Sequence, residues 1–121
     1  MRIGRTYRFE AAHRLPLLPE NHKCHNLHGH NYRIEITVAG CVDSRGFIMD
    51  FSELDSIVMP LIARCDHRIL NDVPGLENPT AELIALWFHT NLSNPIRQAM
   101  ASLPEFTVRV WENDHCWAEF P

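Results

Sequence analysis

The sequence predicts an α+β fold in the order β-β-α-α-β-β, with two helices packed on one face of an antiparallel sheet. Three observations predict it. Residues 2–13 and 28–38 alternate between apolar and polar side chains, the period of a half-buried strand. Two later stretches space their apolar residues as helices do, and alternation returns from Phe106 onward.

In the first strand Ile3, Tyr7, Phe9, Ala11 and His13 share one face, with Arg5 the exception, while Arg2, Thr6, Arg8 and Glu10 take the other. Residues 14–27, with Pro16 and Pro19, read as a loop. The second strand places His28, His30, Tyr32, Ile34, Ile36 and Val38 on one face, against Asn31, Arg33, Glu35 and Thr37. Gly40 to Gly46 reads as a turn, followed by a short apolar strand at Phe47-Ile48-Met49. Asp50 or Ser52 can cap a helix through Leu54, Ile57, Val58, Leu61 and Ile62. Pro60 predicts a kink there, or a break into two short helices.

Asn71 to Gly75 reads as a loop. Asn78-Pro79-Thr80 then signals a helix start, with Leu83, Ile84, Trp87, Phe88 and Leu92 as the apolar stripe. Pro95 is expected to end or interrupt that helix, with a further helical piece to about Met100. Phe106, Val108 and Val110 define a third long strand that carries Glu112 on the same face, and Cys116 to Phe120 forms a last short strand.

The 121 residues fit one domain, 1–121, with no room for a second core. Eleven Lys and Arg against fifteen Asp and Glu give a net charge of −4, which argues against a nucleic-acid partner, since phosphate binding needs a basic face. No apolar run approaches the roughly 20 residues of a membrane span, and the N-terminus lacks a secretory apolar core, so no membrane partner is expected. Four dispersed cysteines without a CxxC point to a reduced, cytoplasmic protein. So small a domain has much to gain from assembly into an oligomer.

Chemistry concentrates in Cys24-His25-Asn26-Leu27-His28-Gly29-His30. Residues i and i+2 of a strand point to one face, so His28 and His30 aim both imidazoles at one point while Gly29 faces away and leaves the neighbouring backbone unencumbered. If the two strands pair antiparallel, the end of the first meets the start of the second, and His13 joins them. One histidine on an apolar face is ordinarily a hydrogen-bonded core residue. Three on one face with a position left open are the ligand set of a catalytic zinc (Zn2+). Nickel, iron or cobalt could occupy the same nitrogens.

Cys24 lies in a polar loop after His22 and Lys23, unlike a buried structural thiol. It is a candidate catalytic base, or a fourth ligand, since a nearby cation favours the thiolate. Asp66-His67 alone is a weak signal, because any such pair at a helix end can cap it or be solvated. Glu112 projects from the valine face, as a carboxylate meeting a ligand's donors inside a pocket would. Cys41, Cys65 and Cys116 read as packing residues, and His22, His25, His89 and His115 carry no assigned role.

Several blocks together give a resemblance. Phe9-Glu10-Ala11-Ala12-His13-Arg14-Leu15, Cys24 with Leu27-His28-Gly29-His30-Asn31-Tyr32, and Met49-Asp50-Phe51-Ser52-Glu53-Leu54 occur in order. Asp66-His67-Arg68-Ile69-Leu70-Asn71-Asp72, Leu76-Glu77-Asn78-Pro79-Thr80-Ala81-Glu82 and Glu112 follow. With these blocks, over nearly its whole length, the chain resembles the 6-pyruvoyltetrahydropterin synthase superfamily, most of all its bacterial 6-carboxytetrahydropterin synthases of queuosine biosynthesis. The three residues between Cys24 and His28 are similar to that branch, where the pyruvoyl branch typically carries a longer insertion.

The resemblance implies a T-fold, homohexamers built from two trimers, and active sites at subunit interfaces. It implies zinc on His13, His28 and His30, a catalytic Cys24, Asp66 and His67, and Glu112 as the anchor of a pterin ring. The implied reaction removes triphosphate from 7,8-dihydroneopterin triphosphate and, in the carboxy branch, cleaves a C–C bond to release acetaldehyde. Lys23, Arg14 and Arg68 are candidates for meeting the phosphates.

The chain departs from the family pattern at Asn113-Asp114-His115-Cys116-Trp117, where a Thr commonly follows the Glu, at Trp111, and at His25-Asn26 in place of a Gly-Arg pair. Those departures bear on pocket selectivity. The rival readings are a pyruvoyl-type or related pterin lyase on the same scaffold, a non-catalytic module that binds metal or pterin, and a generic metal hydrolase.

Overall fold

The computed structural model describes residues 1–100 and 105–121. Strand β1 (Arg2–His13) and strand β2 (His28–Ala39) form an antiparallel pair whose register runs from Arg2 opposite Ala39 to His13 opposite His28. Helix α1 (Phe51–Cys65) and helix α2 (Ala81–Ala99) follow, separated by the two-residue strand β3 (Arg68–Ile69). Strands β4 (Glu105–Trp111) and β5 (Trp117–Phe120) close the chain. The five strands lie in the order β3-β1-β2-β4-β5, antiparallel except for β3, which runs parallel to β1.

The alternation read from the sequence decides which face is covered. Tyr7, Phe9, Ala11, Tyr32, Ile34, Ile36, Val38, Val108 and Val110 are buried against Leu54, Val58 and Ile62 of α1 and Ile84, Phe88, Leu92 and Ile96 of α2. The helices cover this face alone, and the polar sides of β1 and β2 form the other. Asp50 caps α1 by accepting from the Ser52 N–H at 2.7 Å, and Thr80 caps α2 by accepting from the Leu83 N–H at 3.2 Å.

Four sequence expectations change. Phe47–Met49 forms no strand, because β2 already has β1 on one edge and β4 on the other. The segment is organised instead by Asp43, whose Oδ1 accepts from the N–H groups of Arg45 and Phe47, while Met49 turns into the core. Helix α1 runs through Pro60 without a break. The proline and Ser56, whose carbonyl loses its donor, are both exposed, so water can take the place of the missing bond. Helix α2 likewise continues through Pro95, and the carbonyl freed there belongs to exposed Asn91. Finally, the two-residue strand β3 pairs with β1 where the sequence predicts a helix end leading into a loop.

Arg5, the exception to the alternation, stays on the helix-facing side and reaches the flank of α1. Its Nε and Nη2 each donate to Asp55 at 3.0 Å, and the Tyr7 hydroxyl donates to the same carboxylate at 2.9 Å. The Arg5 and Tyr7 hydrogen bonds hold the Asp55 carboxyl below its ordinary value of 3.8. A carboxyl lowered in the folded state contributes stability above its unfolded pKa and loses that contribution as pH falls through the folded one. Asp55→Asn is therefore expected to be less stable than the parent at pH 7 by urea denaturation, and the gap should close as the pH drops below about 4.

Candidate metal centre

The β1–β2 register places His13 directly opposite His28, and His30 lies two residues on along the same face. The three rings meet edge-on with centroids 4.6 to 5.0 Å apart, and one ligand atom from each lies within 4.8 Å of the others. His13 is fully buried.

The outer nitrogens decide the tautomers. His13 Nδ1 lies 2.8 Å from the Pro79 carbonyl and His28 Nδ1 lies 2.7 Å from the Asn26 carbonyl. A carbonyl oxygen only accepts, so each Nδ1 carries the proton and donates, leaving each Nε2 with a bare lone pair. Those two Nε2 atoms face each other at 3.0 Å. Two lone pairs so close repel unless a cation or a proton sits between them. Burial pushes His13 down to about 4, so that ring is neutral at neutral pH, and it lowers His30 as well.

His30 Nε2 is buried and makes no hydrogen bond, although Glu112 Oε1 lies 3.2 Å away. Two imidazoles held by carbonyls from behind, with their Nε2 lone pairs and the unpartnered His30 Nε2 converging in front, are what a zinc site with an open position requires. His13, His28 and His30 can hold a metal ion, and their donor set suits zinc. The Cys24 sulfur is not part of this group.

Glu112 follows β4 and continues the inward alternation of Phe106, Val108 and Val110. Its Oε1 stands 3.8 Å from His13 Nε2, so the carboxylate lies at the mouth of the histidine cluster. Asn113, the residue that departs from the family pattern, accepts from the N–H groups of His115 and Cys116 at 2.8 and 2.9 Å and closes the turn that presents Glu112. Trp111 points to the other face of the sheet, where the Arg33 guanidinium lies 4.2 Å from its ring centre. That departure does not enter the metal pocket.

Cys24 sits half-buried in a short 3-10 turn, Lys23–His25, on the loop leading into His28. His22, unassigned from sequence, caps this turn by accepting from the Cys24 N–H at 3.1 Å. His25 Nδ1 bonds the Leu18 carbonyl at 2.9 Å, tying the loop to itself. His89 stacks on Phe106 at 4.2 Å, far along the sheet from the cluster.

Asp66 and His67 do not join the histidines within the chain. Asp66 ends α1; its Oδ1 accepts from the Glu10 N–H at 3.1 Å and lies 2.9 Å from His67 Nδ1. His67 adopts a left-handed backbone (φ 55°) that lets its N–H donate to the Glu10 carbonyl. Its ring lies 3.8 Å from the Glu10 carboxylate, on the face away from the helices. There it borders a cleft of about 560 Å³ with Glu10, Gly29, Asn31 and Arg68. The strained, carboxylate-bracketed histidine is thus presented outward. A side chain added at Gly29 would meet the Ala11 carbonyl at an ordinary 3.6 Å, so this glycine is not forced by backbone crowding.

With the site in view, comparison with known proteins identifies its lineage. The family model described as 6-pyruvoyl tetrahydropterin synthase matches residues 2–121. The chain belongs to the 6-pyruvoyl tetrahydropterin synthase family. It is 42% identical over 96 residues to a Synechocystis protein named 6-carboxy-5,6,7,8-tetrahydropterin synthase, covering 74% of this chain and 73% of the relative. It is 35% identical over 101 residues to a Pyrococcus furiosus protein named dihydroneopterin monophosphate aldolase, covering 80% and 82%.

The 6-pyruvoyl tetrahydropterin synthase of Caenorhabditis elegans superposes with a TM-score of 0.80 over 99% of this chain and 94% of that one, at 24% identity. At that identity the likeness bears on the fold, and it agrees with the β-β-α-α-β-β T-fold expected from the resemblance, to which the structure adds the short edge strand β3.

Proposed function

We propose that the protein is a zinc-dependent lyase that converts 7,8-dihydroneopterin triphosphate to 6-carboxy-5,6,7,8-tetrahydropterin, releasing acetaldehyde and triphosphate. In this reading it works in the cytoplasm as a homohexamer and serves queuosine biosynthesis. The observation that carries the proposal is the convergence of three imidazole nitrogens beside Glu112. The relative named 6-carboxy-5,6,7,8-tetrahydropterin synthase supports the choice of branch.

A zinc ion on His13, His28 and His30 would supply Lewis acidity toward the oxygens of the substrate's hydroxylated side chain. Glu112 accepts hydrogen bonds from the amino and amide N–H groups of the pterin and so fixes the ring beside the metal pocket. Cys24, as thiolate, takes a proton from the side chain. His67, its Nδ1 held by Asp66, exchanges a proton through Nε2. Because His67 faces away from its own chain's histidines, it serves the site of a neighbouring copy.

The P. furiosus relative favours one alternative, aldolase cleavage of a dihydroneopterin monophosphate on the same scaffold. Product analysis separates the readings. Incubation of the zinc-loaded protein with dihydroneopterin triphosphate is expected to give acetaldehyde and inorganic triphosphate in equal amounts. Triphosphate without acetaldehyde would assign the pyruvoyl reaction instead. Cleavage of the monophosphate with no triphosphate released from the triphosphate would favour the aldolase. No consumption of any pterin would leave a binding module.

A further inference from the structure

We infer that Asn71 is a positioning residue for the metal centre, holding the backbone behind His13 by extending the sheet with its side chain. The inference rests on the reading of His13, His28 and His30 as metal ligands. Strand β3 pairs with β1 through only two rungs, Arg68 with Ala11 and Ile69 with Ala12, before the chain turns away into a 3-10 turn at Leu70. The next position of β1 is His13, and backbone pairing from β3 stops short of it.

The Asn71 side chain continues the pairing. Its Oδ1 accepts from the Arg14 N–H at 3.0 Å, and its Nδ2 donates to the Arg14 carbonyl at 2.8 Å. A primary amide offers one acceptor and two donors, so it can meet both main-chain groups of one residue as a neighbouring strand would. His13 is thereby held between a true rung at Ala12 and a side-chain rung at Arg14.

The second Asn71 donor bond reaches the Glu77 carbonyl at 3.3 Å. Residue 77 begins the segment that leads to Pro79, whose carbonyl accepts from His13 Nδ1 at 2.8 Å. One side chain thus joins the strand carrying the ligand to the loop carrying the acceptor that fixes that ligand's tautomer. Partners behind a metal-bound histidine typically govern about 10- to 100-fold in metal affinity. Asn71 acts one step further back, through Arg14 and the loop, so an effect near the lower end is expected.

Zinc affinity of the purified, metal-stripped protein, read by competition with a chromogenic chelator, tests the inference. Asn71→Ala is expected to weaken zinc binding by about tenfold. Asn71→Asp keeps the shape but turns a carboxylate toward the carbonyls of Arg14 and Glu77, and is expected to weaken it at least as much. A residue that merely fills space would tolerate the isosteric Asp. Hydrogen exchange of the Arg14 amide, which needs no metal, should quicken in Asn71→Ala. If the parent binds zinc and both variants bind it within twofold of the parent, the inference is overturned while the metal reading stands. A folded parent that binds no zinc overturns both.

Discussion

Replacing His13 with Ala is expected to abolish retention of zinc by the purified protein. His13 is fully buried, and its Nε2 faces that of His28 at 3.0 Å. Removing an outer partner of a metal-bound histidine costs roughly 10- to 100-fold in affinity, so losing the ligand itself should cost at least about 100-fold. Elemental analysis of metal per chain and chelator competition measure this directly. Zinc should raise the thermal midpoint of the parent, because a ligand bound only by the folded state stabilises it, and this rise should vanish in the variant. His25→Ala is the matched control. That ring is occupied with the Leu18 carbonyl and lies outside the ligand group, so its loss should leave zinc in place. Equal zinc content in His13→Ala and the parent would refute the site.

The histidine cluster was legible in the sequence because strand geometry is local. Alternation put His13, His28 and His30 on the buried face, and an antiparallel hairpin has to bring the end of β1 to the start of β2. What fixes the rings was not legible. The Pro79 carbonyl comes from a loop 66 residues away, and backbone groups leave no trace in residue identity. The same limit hid β3, whose two residues carry too short a pattern to show a period. Pro60 and Pro95 misled for a different reason. Proline is costly where the freed carbonyl is buried, and sequence spacing alone did not show that Ser56 and Asn91 stay at the surface. The side of the sheet that His67 would take was also out of reach. It depends on a left-handed residue at the end of α1 and on pairing with Glu10 at the sheet edge, two features that no periodicity reports.

That placement leads to the second large effect. Cys24→Ala and His67→Ala are each expected to lower turnover of dihydroneopterin triphosphate by roughly 10²- to 10⁴-fold, the range for loss of a general acid or base. Zinc should remain bound in both, since neither residue belongs to the ligand group. The two variants should nevertheless complement each other. Within one chain the His67 ring stands beside Glu10 on the open face, while the metal ligands point to the helix-covered face, so the sheet separates them. A working site would then take Cys24 and the histidines from one copy and the Asp66–His67 pair from another. When the inactive variants are unfolded together, mixed in equal amounts and refolded, random assembly gives a quarter of the sites both intact groups, so about a quarter of parental turnover should return. A mixture no more active than its components would mean that each chain completes its own site, which would require the 65–69 segment to move across the edge of β1.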